Sequence, residues 1–203
     1  RVMSYIAVVD YGVGNLKSVS NAFAYLGIET KITGDPDELE LAQAIVLPGV
    51  GAFPDAADKL RATGLDQSVV KQGRKKPVLG ICLGMQLLFD KSYENGEYKA
   101  LGLIEGEVRP FELPDMRVPH MGWNSLKIRP EAKLFRGIED GSYVYFVHSY
   151  YLKAEDESIV AASTEYSTVI HASVERENVF ACQFHPEKSG EVGLAILKNF
   201  IGL

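Results

Sequence analysis

In the first half of the chain, short apolar runs alternate with amphipathic stretches, and few folds are compatible with this alternation. Each apolar run is followed by a segment whose apolar residues recur near helical spacing. Strands that are apolar throughout belong in a parallel sheet covered by helices on both faces. The pattern predicts an α/β fold whose elements are strand 5–9, helix 16–26, strand 28–32, helix 36–41, strand 44–47, helix 55–71, strand 77–81 and helix 83–89.

The second half of the chain has a different pattern. Short runs rich in Val, Ile, Tyr and Phe predominate, which favours mostly antiparallel strands added to the sheet. Because we find no repeat, low-complexity tract or linker, we expect one domain over residues 1–203. The predicted elements are strands 106–111, 143–147, 159–162, 169–174 and 179–184, and a last helix 192–201.

Charge and composition exclude several classes of protein. The chain has 203 residues and a formal net charge of −6, whereas nucleic-acid binders usually carry a basic surface. No apolar run reaches membrane-spanning length, so we expect a cytoplasmic protein that binds neither membrane nor nucleic acid. Two cysteines, Cys82 and Cys182, are too few for a disulfide framework or a zinc site, and we expect no metal or cofactor.

The segment Gly80-Ile-Cys-Leu-Gly84 has the glycine–x–nucleophile–x–glycine form of a nucleophile elbow. A sharp strand-to-helix turn forces the central residue into a strained backbone conformation, and side chains two positions away would collide. The helix N-terminus that follows Cys82 favours the thiolate. The alternative is that Cys82 is only a small buried apolar residue, as most free cysteines are.

A nucleophilic cysteine needs a base, and His185 is the strongest candidate among four histidines. It ends a predicted strand, and Glu187 lies two residues away across Pro186, where a carboxylate can orient the imidazole. We expect backbone N–H groups of Leu83 and Gly51 to stabilise an oxyanion. An ordinary tight turn is the other interpretation of the glycines around Val50.

Six segments together resemble the class I, or triad, glutamine amidotransferases, and among them the glutaminase subunits of imidazole glycerol phosphate synthases. The resemblance covers almost the whole chain, and the second and fourth segments are more particular to those subunits than the others. The segments are Asp10-Tyr-Gly-Val-Gly-Asn15, Leu47-Pro-Gly-Val-Gly51, Gly80-Ile-Cys-Leu-Gly-Met-Gln86, Pro119-His-Met-Gly-Trp-Asn124, Phe146-Val-His-Ser-Tyr150 and Gln183-Phe-His-Pro-Glu-Lys-Ser189.

The resemblance implies a flavodoxin-like α/β fold and hydrolysis of glutamine to glutamate and ammonia. It implies a triad of Cys82, His185 and Glu187, with the Gly51 and Leu83 amides as the oxyanion hole. It also implies that the two ends of glutamine are held by Gly49, Gln86, Glu94, Ser149 and Tyr150.

The resemblance further implies a heterodimer with a (β/α)8-barrel cyclase. That partner would use the ammonia to make imidazole glycerol phosphate and an aminoimidazole carboxamide ribotide in histidine biosynthesis. Lys188 is expected to stack on Trp123 at the interface. The residues expected to face the partner are Asn15, Pro119, His120, Met121, Trp123, Asn124 and Lys188.

Three alternatives to this function stay open. A sister amidotransferase subunit would share the chemistry and dock on another synthase. A stand-alone cysteine hydrolase, such as a γ-glutamyl peptidase, would be fully active alone. A flavodoxin-like binding module would have a structural cysteine, so Cys82→Ala would change no activity. His148 and His171, and His120 apart from its implied interface position, are expected to make structural hydrogen bonds.

Overall fold

The computed structural model describes residues 4–112 and 117–203, which form helices on both sides of a large central sheet. The strands are β1 (Ile6–Val9), β2 (Thr30–Thr33), β3 (Ala44–Leu47), β4 (Val78–Ile81), β5 (Lys91–Ser92), β6 (Tyr98–Lys99), β7 (Gly106–Pro110), β8 (His120–Ser125), β9 (Lys127–Ile128), β10 (Tyr143–His148), β11 (Tyr150–Ala154), β12 (Val160–Glu165), β13 (Val169–Arg176) and β14 (Val179–Cys182). The helices are α1 (Leu16–Tyr25), α2 (Pro36–Leu41), α3 (Phe53–Ala62), α4 (Leu65–Gly73), α5 (Leu83–Leu87) and α6 (Gly190–Ile201).

The central sheet has the strand order β2-β1-β3-β4-β14-β13-β12-β9. The first five strands in this order are parallel to their neighbours, in the doubly wound flavodoxin-like arrangement. The last three join by antiparallel pairing. The predicted mostly parallel sheet with antiparallel additions is confirmed, except that β14, expected among the antiparallel additions, is parallel to β4.

Two apolar cores lie on opposite faces of this sheet because side chains alternate along each strand. On β1, Ala7 and Val9 face the core beneath α2 to α5, whereas Ile6 and Val8 face the core beneath α1 and α6. The parallel strands are buried on both faces, which explains why their sequences are uniformly apolar rather than alternating.

Two smaller sheets accompany the central one. β8 and β10 form an antiparallel pair, and β11-β7-β5-β6 form a four-stranded sheet. From the sequence we expected β7 and β10 as additions to the main sheet, but the structure places them in these separate sheets. The sequence pattern did not predict β5, β6, β8, β9 or β11 at all.

One predicted helix is wrong. The segment 55–71 was expected to be one helix, whereas the structure has α3 and α4 separated at Thr63 and Gly64. Gly64 has a φ of 73°, a left-handed conformation that glycine adopts without strain and that ends a helix. Among residues 4–112 and 117–203, every helix falls short of the length and apolar character that a bilayer crossing requires.

Candidate active site

Cys82 lies at the turn between β4 and α5, with φ 55° and ψ −113°. A non-glycine residue rarely adopts such a conformation, so the surrounding packing must hold it there. A Cβ on Gly84 would lie 1.8 Å from the Leu47 carbonyl oxygen, and one on Gly80 would lie 2.6 Å from Leu88 Cδ1. The two glycines therefore let α5 approach β3 and β4 closely, as the elbow pattern predicts.

His185 follows β14, and Cys82 follows β4, and these two strands are parallel neighbours. Their carboxyl ends meet at the same edge of the sheet, which brings cysteine and histidine together from positions far apart in sequence. His185 Nδ1 lies 2.7 Å from Glu187 Oε1. In the described part of the chain, the buried His185 Nε2 has no hydrogen-bond partner.

The electrostatics of His185 favour the imidazolium. Burial opposes the charged form, but the neighbouring Cys82 and Glu187 side chains outweigh it and raise the pKa of His185 to about 10. At neutral pH the imidazole therefore carries a proton that it can give to a leaving group.

The second cysteine has a different environment. Cys182 ends β14, is fully buried, and burial raises the pKa of its thiol far above the usual range. The Ser173 hydroxyl lies 3.9 Å from its sulfur. Both cysteines are free thiols, and the surroundings of Cys182 favour an inert structural role.

A cavity of about 310 Å³ opens above Cys82. Eight of the ten residues predicted for catalysis, the oxyanion hole or glutamine binding line it: Gly51, Cys82, Leu83, Gln86, Glu94, Ser149, Tyr150 and His185. Gly49 and Glu187 lie behind this lining, beside a much smaller space next to His185. Val50, Pro119, Val147 and His148 complete the wall of the larger cavity.

A chain of side-chain amides connects the thiol to the far wall of the cavity. Gln183 Nε2 lies 3.7 Å from the Cys82 sulfur. Gln86 Nε2 donates to Gln183 Oε1 at 3.1 Å and to the Tyr150 carbonyl oxygen at 3.4 Å. Gln86 was predicted as a site residue, whereas Gln183 was noted only as part of a motif.

Glu94 is a buried carboxylate at the other end of the cavity. Its Oε2 accepts a hydrogen bond from the backbone N–H of Phe53, the first residue of α3, at 3.0 Å. Burial raises the pKa of Glu94, although the Phe53 hydrogen bond opposes this. A cation bound beside Glu94 would restore the interactions that the carboxylate loses on burial.

Gly51, whose N–H is expected to serve an oxyanion, lies in the turn between β3 and α3. Gly51 has a φ of 97°, and a Cβ on Gly49 would lie 2.8 Å from the Tyr11 hydroxyl. That hydroxyl donates to the Pro48 carbonyl oxygen at 2.7 Å, so the buried Tyr11 fixes the start of the turn. Sequence reasoning missed Tyr11, although it stands within the first motif of the resemblance.

Two residues beside Ser149 were missed as part of the site. The Val147 carbonyl oxygen lies 3.7 Å from the Cys82 sulfur. His148 Nδ1 lies 2.8 Å from the Tyr150 carbonyl oxygen. Their position in the same short motif as Ser149 and Tyr150 was the available signal.

The outer face of the β8–β10 pair is apolar and exposed near the mouth of the cavity. Met121 is 63% exposed and Trp123 is 55% exposed. Trp123 pairs with Tyr145 across the two strands, and their rings meet edge to face at 6.1 Å. An exposed apolar patch beside a reaction cavity is typical of a protein-binding surface.

Not all the residues expected to face a partner lie on this surface. Pro119 and Lys188 are exposed, and Asn15 is partly exposed at the start of α1. His120 is only 3% exposed and its ring points into the protein. The side-chain amide of Asn124 donates a hydrogen bond to the Glu165 carbonyl oxygen at 3.0 Å.

One expectation from the sequence needs correction. Within residues 4–112 and 117–203, no lysine ammonium lies over the ring of Trp123, so the expected stacking of Lys188 is absent. The Asn15 side chain, just before α1, accepts from the Ser18 hydroxyl.

Comparison with protein families decides the assignment of the chain. Residues 7–202 match the glutamine amidotransferase class-I family. The chain belongs to this family. The matched region of this class I glutamine amidotransferase includes both parts of the site: the elbow with Cys82 in its first half, and the His185–Glu187 pair in its second half.

Several curated relatives of this class I glutamine amidotransferase carry the name imidazole glycerol phosphate synthase subunit HisH. The one from Caldanaerobacter subterraneus is 50% identical over 96% of both chains. The one from Geobacillus kaustophilus is 51% identical over 98% of this chain and 96% of its own. The one from Archaeoglobus fulgidus is 48% identical over 98% of both chains.

Solved structures have the same fold. A putative GMP synthase subunit from Thermoplasma acidophilum superimposes with a TM-score of 0.72 at 26% identity, covering 98% of this chain and 93% of that one. A structure described as a glutamine amidotransferase has a TM-score of 0.74 at 22% identity, covering 97% of this chain and 99% of that one.

Proposed function

We propose that this chain is the glutaminase subunit of an imidazole glycerol phosphate synthase and supplies ammonia for histidine biosynthesis. The observation that carries the chemistry is the meeting of an elbow cysteine and a histidine–glutamate pair at one cavity. The assignment to this synthase rests on relatives about half identical over nearly the whole chain.

The proposed reaction passes through a thioester. The Cys82 thiolate attacks the side-chain carboxamide carbon of glutamine, and the N–H groups of Gly51 and Leu83 stabilise the oxyanion. The His185 imidazolium gives its proton to the departing nitrogen, which leaves as ammonia. The neutral imidazole then takes a proton from water, a new carbon–oxygen bond forms, and the carbon–sulfur bond breaks to give glutamate.

The cavity also offers a place for each end of glutamine. Glu94 is a buried carboxylate that gains from a nearby ammonium, so we assign the α-amino group of glutamine to it. Gln86, Ser149 and Tyr150 lie along the same wall and supply polar groups for the α-carboxylate. Gly49 acts by allowing the oxyanion turn to pack against Leu83, since a side chain there would collide.

The cyclase partner is proposed to dock on the apolar face formed by Met121 and Trp123, with Pro119, Asn15 and Lys188 around it. Free ammonia takes up a proton in bulk water and stops being a nucleophile, so a synthase should cover the cavity mouth. A charge on this face should block docking. We expect Trp123→Glu to abolish stimulation by the cyclase while basal hydrolysis persists, and Leu41→Glu on the exposed side of α2 to change neither.

The decisive experiment is covalent labelling with a glutamine analogue that carries an electrophilic carbon. Intact-protein mass should show one adduct on the wild type and on Cys182→Ser, and none on Cys82→Ser. Labelling that persists in Cys82→Ser, or that maps to Cys182, would reject the proposed site.

A second measurement separates the proposal from a stand-alone hydrolase. The glutaminase rate of the isolated subunit should rise when the cyclase subunit and its substrate are added. A rate that is already maximal for the subunit alone would favour a γ-glutamyl hydrolase. Stimulation by the synthase of another pathway instead would favour a sister amidotransferase subunit.

A further inference from the structure

Two buried histidines outside the triad lie against the wall of the cavity. His120 and His148 face each other as partners in the β8–β10 pair. His120 Nδ1 lies 2.9 Å from His148 Nε2, and His148 Nδ1 lies 2.8 Å from the Tyr150 carbonyl oxygen. Both residues are almost fully buried.

The acceptor at the inner end fixes the direction of this chain of hydrogen bonds. A carbonyl oxygen can only accept, so the proton of His148 must be on Nδ1. In a neutral ring the other nitrogen is then an acceptor, so His120 must donate from its own Nδ1. Burial, the largest effect on each ring, lowers the pKa of both histidines to about 4 and keeps them neutral at physiological pH.

The Tyr150 carbonyl needs donors from side chains. Tyr150 is opposite Pro110 in the pairing of β11 with β7, and proline has no N–H to donate. His148 and Gln86 donate to this oxygen instead, at 2.8 Å and 3.4 Å. Ser149 lies between β10 and β11, where the chain passes from one sheet to another. Its backbone conformation is therefore not set by strand pairing alone.

The outer ring is held by aromatic neighbours. The ring of His120 stacks on Tyr166 at 3.9 Å and on Phe146 at 4.8 Å between centroids. The Tyr166 hydroxyl in turn donates to the Arg117 carbonyl oxygen at 2.6 Å. A histidine held this firmly can orient its neighbour, since its own ring has little freedom to turn.

We propose that His120 and His148 are positioning residues that hold the Ser149–Tyr150 backbone in the geometry in which it binds substrate. The inference rests on the proposed function, because the substrate is taken to be glutamine. The pair does not touch the reacting atoms, so its loss should weaken binding more than it slows the chemical step.

The test compares two substitutions of one residue in the complex with the cyclase. His120→Leu removes the donor and leaves His148 Nε2 buried without one, so we expect KM for glutamine to rise about 10-fold with a smaller change in kcat. His120→Asn keeps an N–H donor near the position of Nδ1, and we expect it to restore KM to within about 3-fold of the wild type.

The matched control is His171→Leu. His171 is a partly buried histidine on β13 that accepts from the Ala154 N–H at 3.1 Å, and it does not line the cavity. We expect KM of this variant to equal that of the wild type. Unchanged KM in His120→Leu, or an equal effect in both leucine variants, would overturn the proposal.

A second measurement needs no variant that might fail to fold. Nitrogen-15 NMR of the wild-type histidine rings at pH 7 should show His120 and His148 neutral and protonated on Nδ1. Protonation on Nε2 in either ring would overturn the assignment. The NMR result does not depend on glutamine. If the protein hydrolysed no glutamine, the proposed function would be rejected, and the NMR spectrum would still decide the protonation of the two rings.

Discussion

At the scale of single residues, the site depends on how burial and neighbouring groups set the charge on each side chain. Three of the four histidines have pKa values lowered mainly by burial, whereas His185 has a raised pKa because Cys82 and Glu187 outweigh the burial around it. The same residue type therefore provides a proton donor at one place and neutral hydrogen-bonding groups at the others.

Glu187→Gln should shift the pH dependence of glutamine hydrolysis. The side-chain amide oxygen introduced by the substitution can still accept a hydrogen bond from His185 Nδ1. The negative charge that stabilises the imidazolium is gone, so the pKa of His185 falls. Because the reaction needs the protonated ring, we expect the alkaline limb of kcat/KM to move to lower pH and the maximum to fall by about 10-fold or more. An alkaline limb at the same pH in both proteins would contradict the assigned role.

Tyr11→Phe should slow turnover without weakening substrate binding. The change removes the hydroxyl that holds the Pro48 carbonyl and leaves the ring in place. A misplaced oxyanion donor should lower kcat by about 10-fold, less than the roughly 100-fold or more expected when such a donor is lost entirely.

The matched control for Tyr11 is Tyr5→Phe, which removes a similar hydrogen bond to the Glu38 carbonyl in α2. Each variant should lose about 1 kcal/mol of unfolding free energy. Only Tyr11→Phe should lose kcat. Equal kcat in the two variants would show that the Tyr11 hydroxyl is merely structural.

At the scale of elements, the elbow works because β3, β4 and α5 pack at backbone distance. The glycine at position 84 permits this contact, since a Cβ there would overlap the Leu47 carbonyl oxygen. The strained conformation of Cys82 is thus maintained by its neighbours rather than by its own preference.

Gly84→Ala should therefore destabilise the protein and remove activity. We expect the unfolding free energy to fall by about 3 kcal/mol, since the backbone on both sides must shift. Gly64→Ala is the control, because its positive φ strains an alanine whereas the added Cβ would meet open space. That variant should lose only about 1 kcal/mol and keep its glutaminase rate. Equal losses in urea unfolding would refute the close-packing explanation.

At the scale of the whole molecule, the buried neutral histidines couple stability to pH. The folded pKa of His120 and His148, about 4, lies below the ordinary 6.5 that applies to the unfolded chain. Between these values the unfolded state binds more protons, so stability falls as pH drops from about 6.5 to 4. Above about pH 6.5 their contribution is complete.

His120→Asn should make this loss shallower, because one of the two titrating groups is removed. Urea unfolding of both proteins at pH 7, 5.5 and 4.5 measures the difference, and the carboxylates that titrate in the same range are common to both. Parallel stability curves would show that His120 does not remain neutral in the folded protein.

Local sequence patterns were enough to predict the four parallel strands of the first half and the elbow. Uniformly apolar strands such as Ala44–Leu47 can only be buried on both faces, and Gly80 and Gly84 mark a turn too tight for side chains. The His185–Glu187 pair could also be predicted from the sequence, because the two residues are separated only by Pro186 and their side chains stay within reach of each other.

Local patterns do not indicate which distant residues share the cavity and which turn away from it, because those contacts come from the packed fold. The short strands β5, β6, β8, β9 and β11 have little local pattern, so their sheets follow from pairing partners that the sequence does not state. The Tyr11 hydroxyl, the Gln183 amide and the inward ring of His120 acquire their roles through contacts with residues tens of positions away. Such contacts form only once the strands have packed, because buried polar groups take whichever partners the surrounding fold provides.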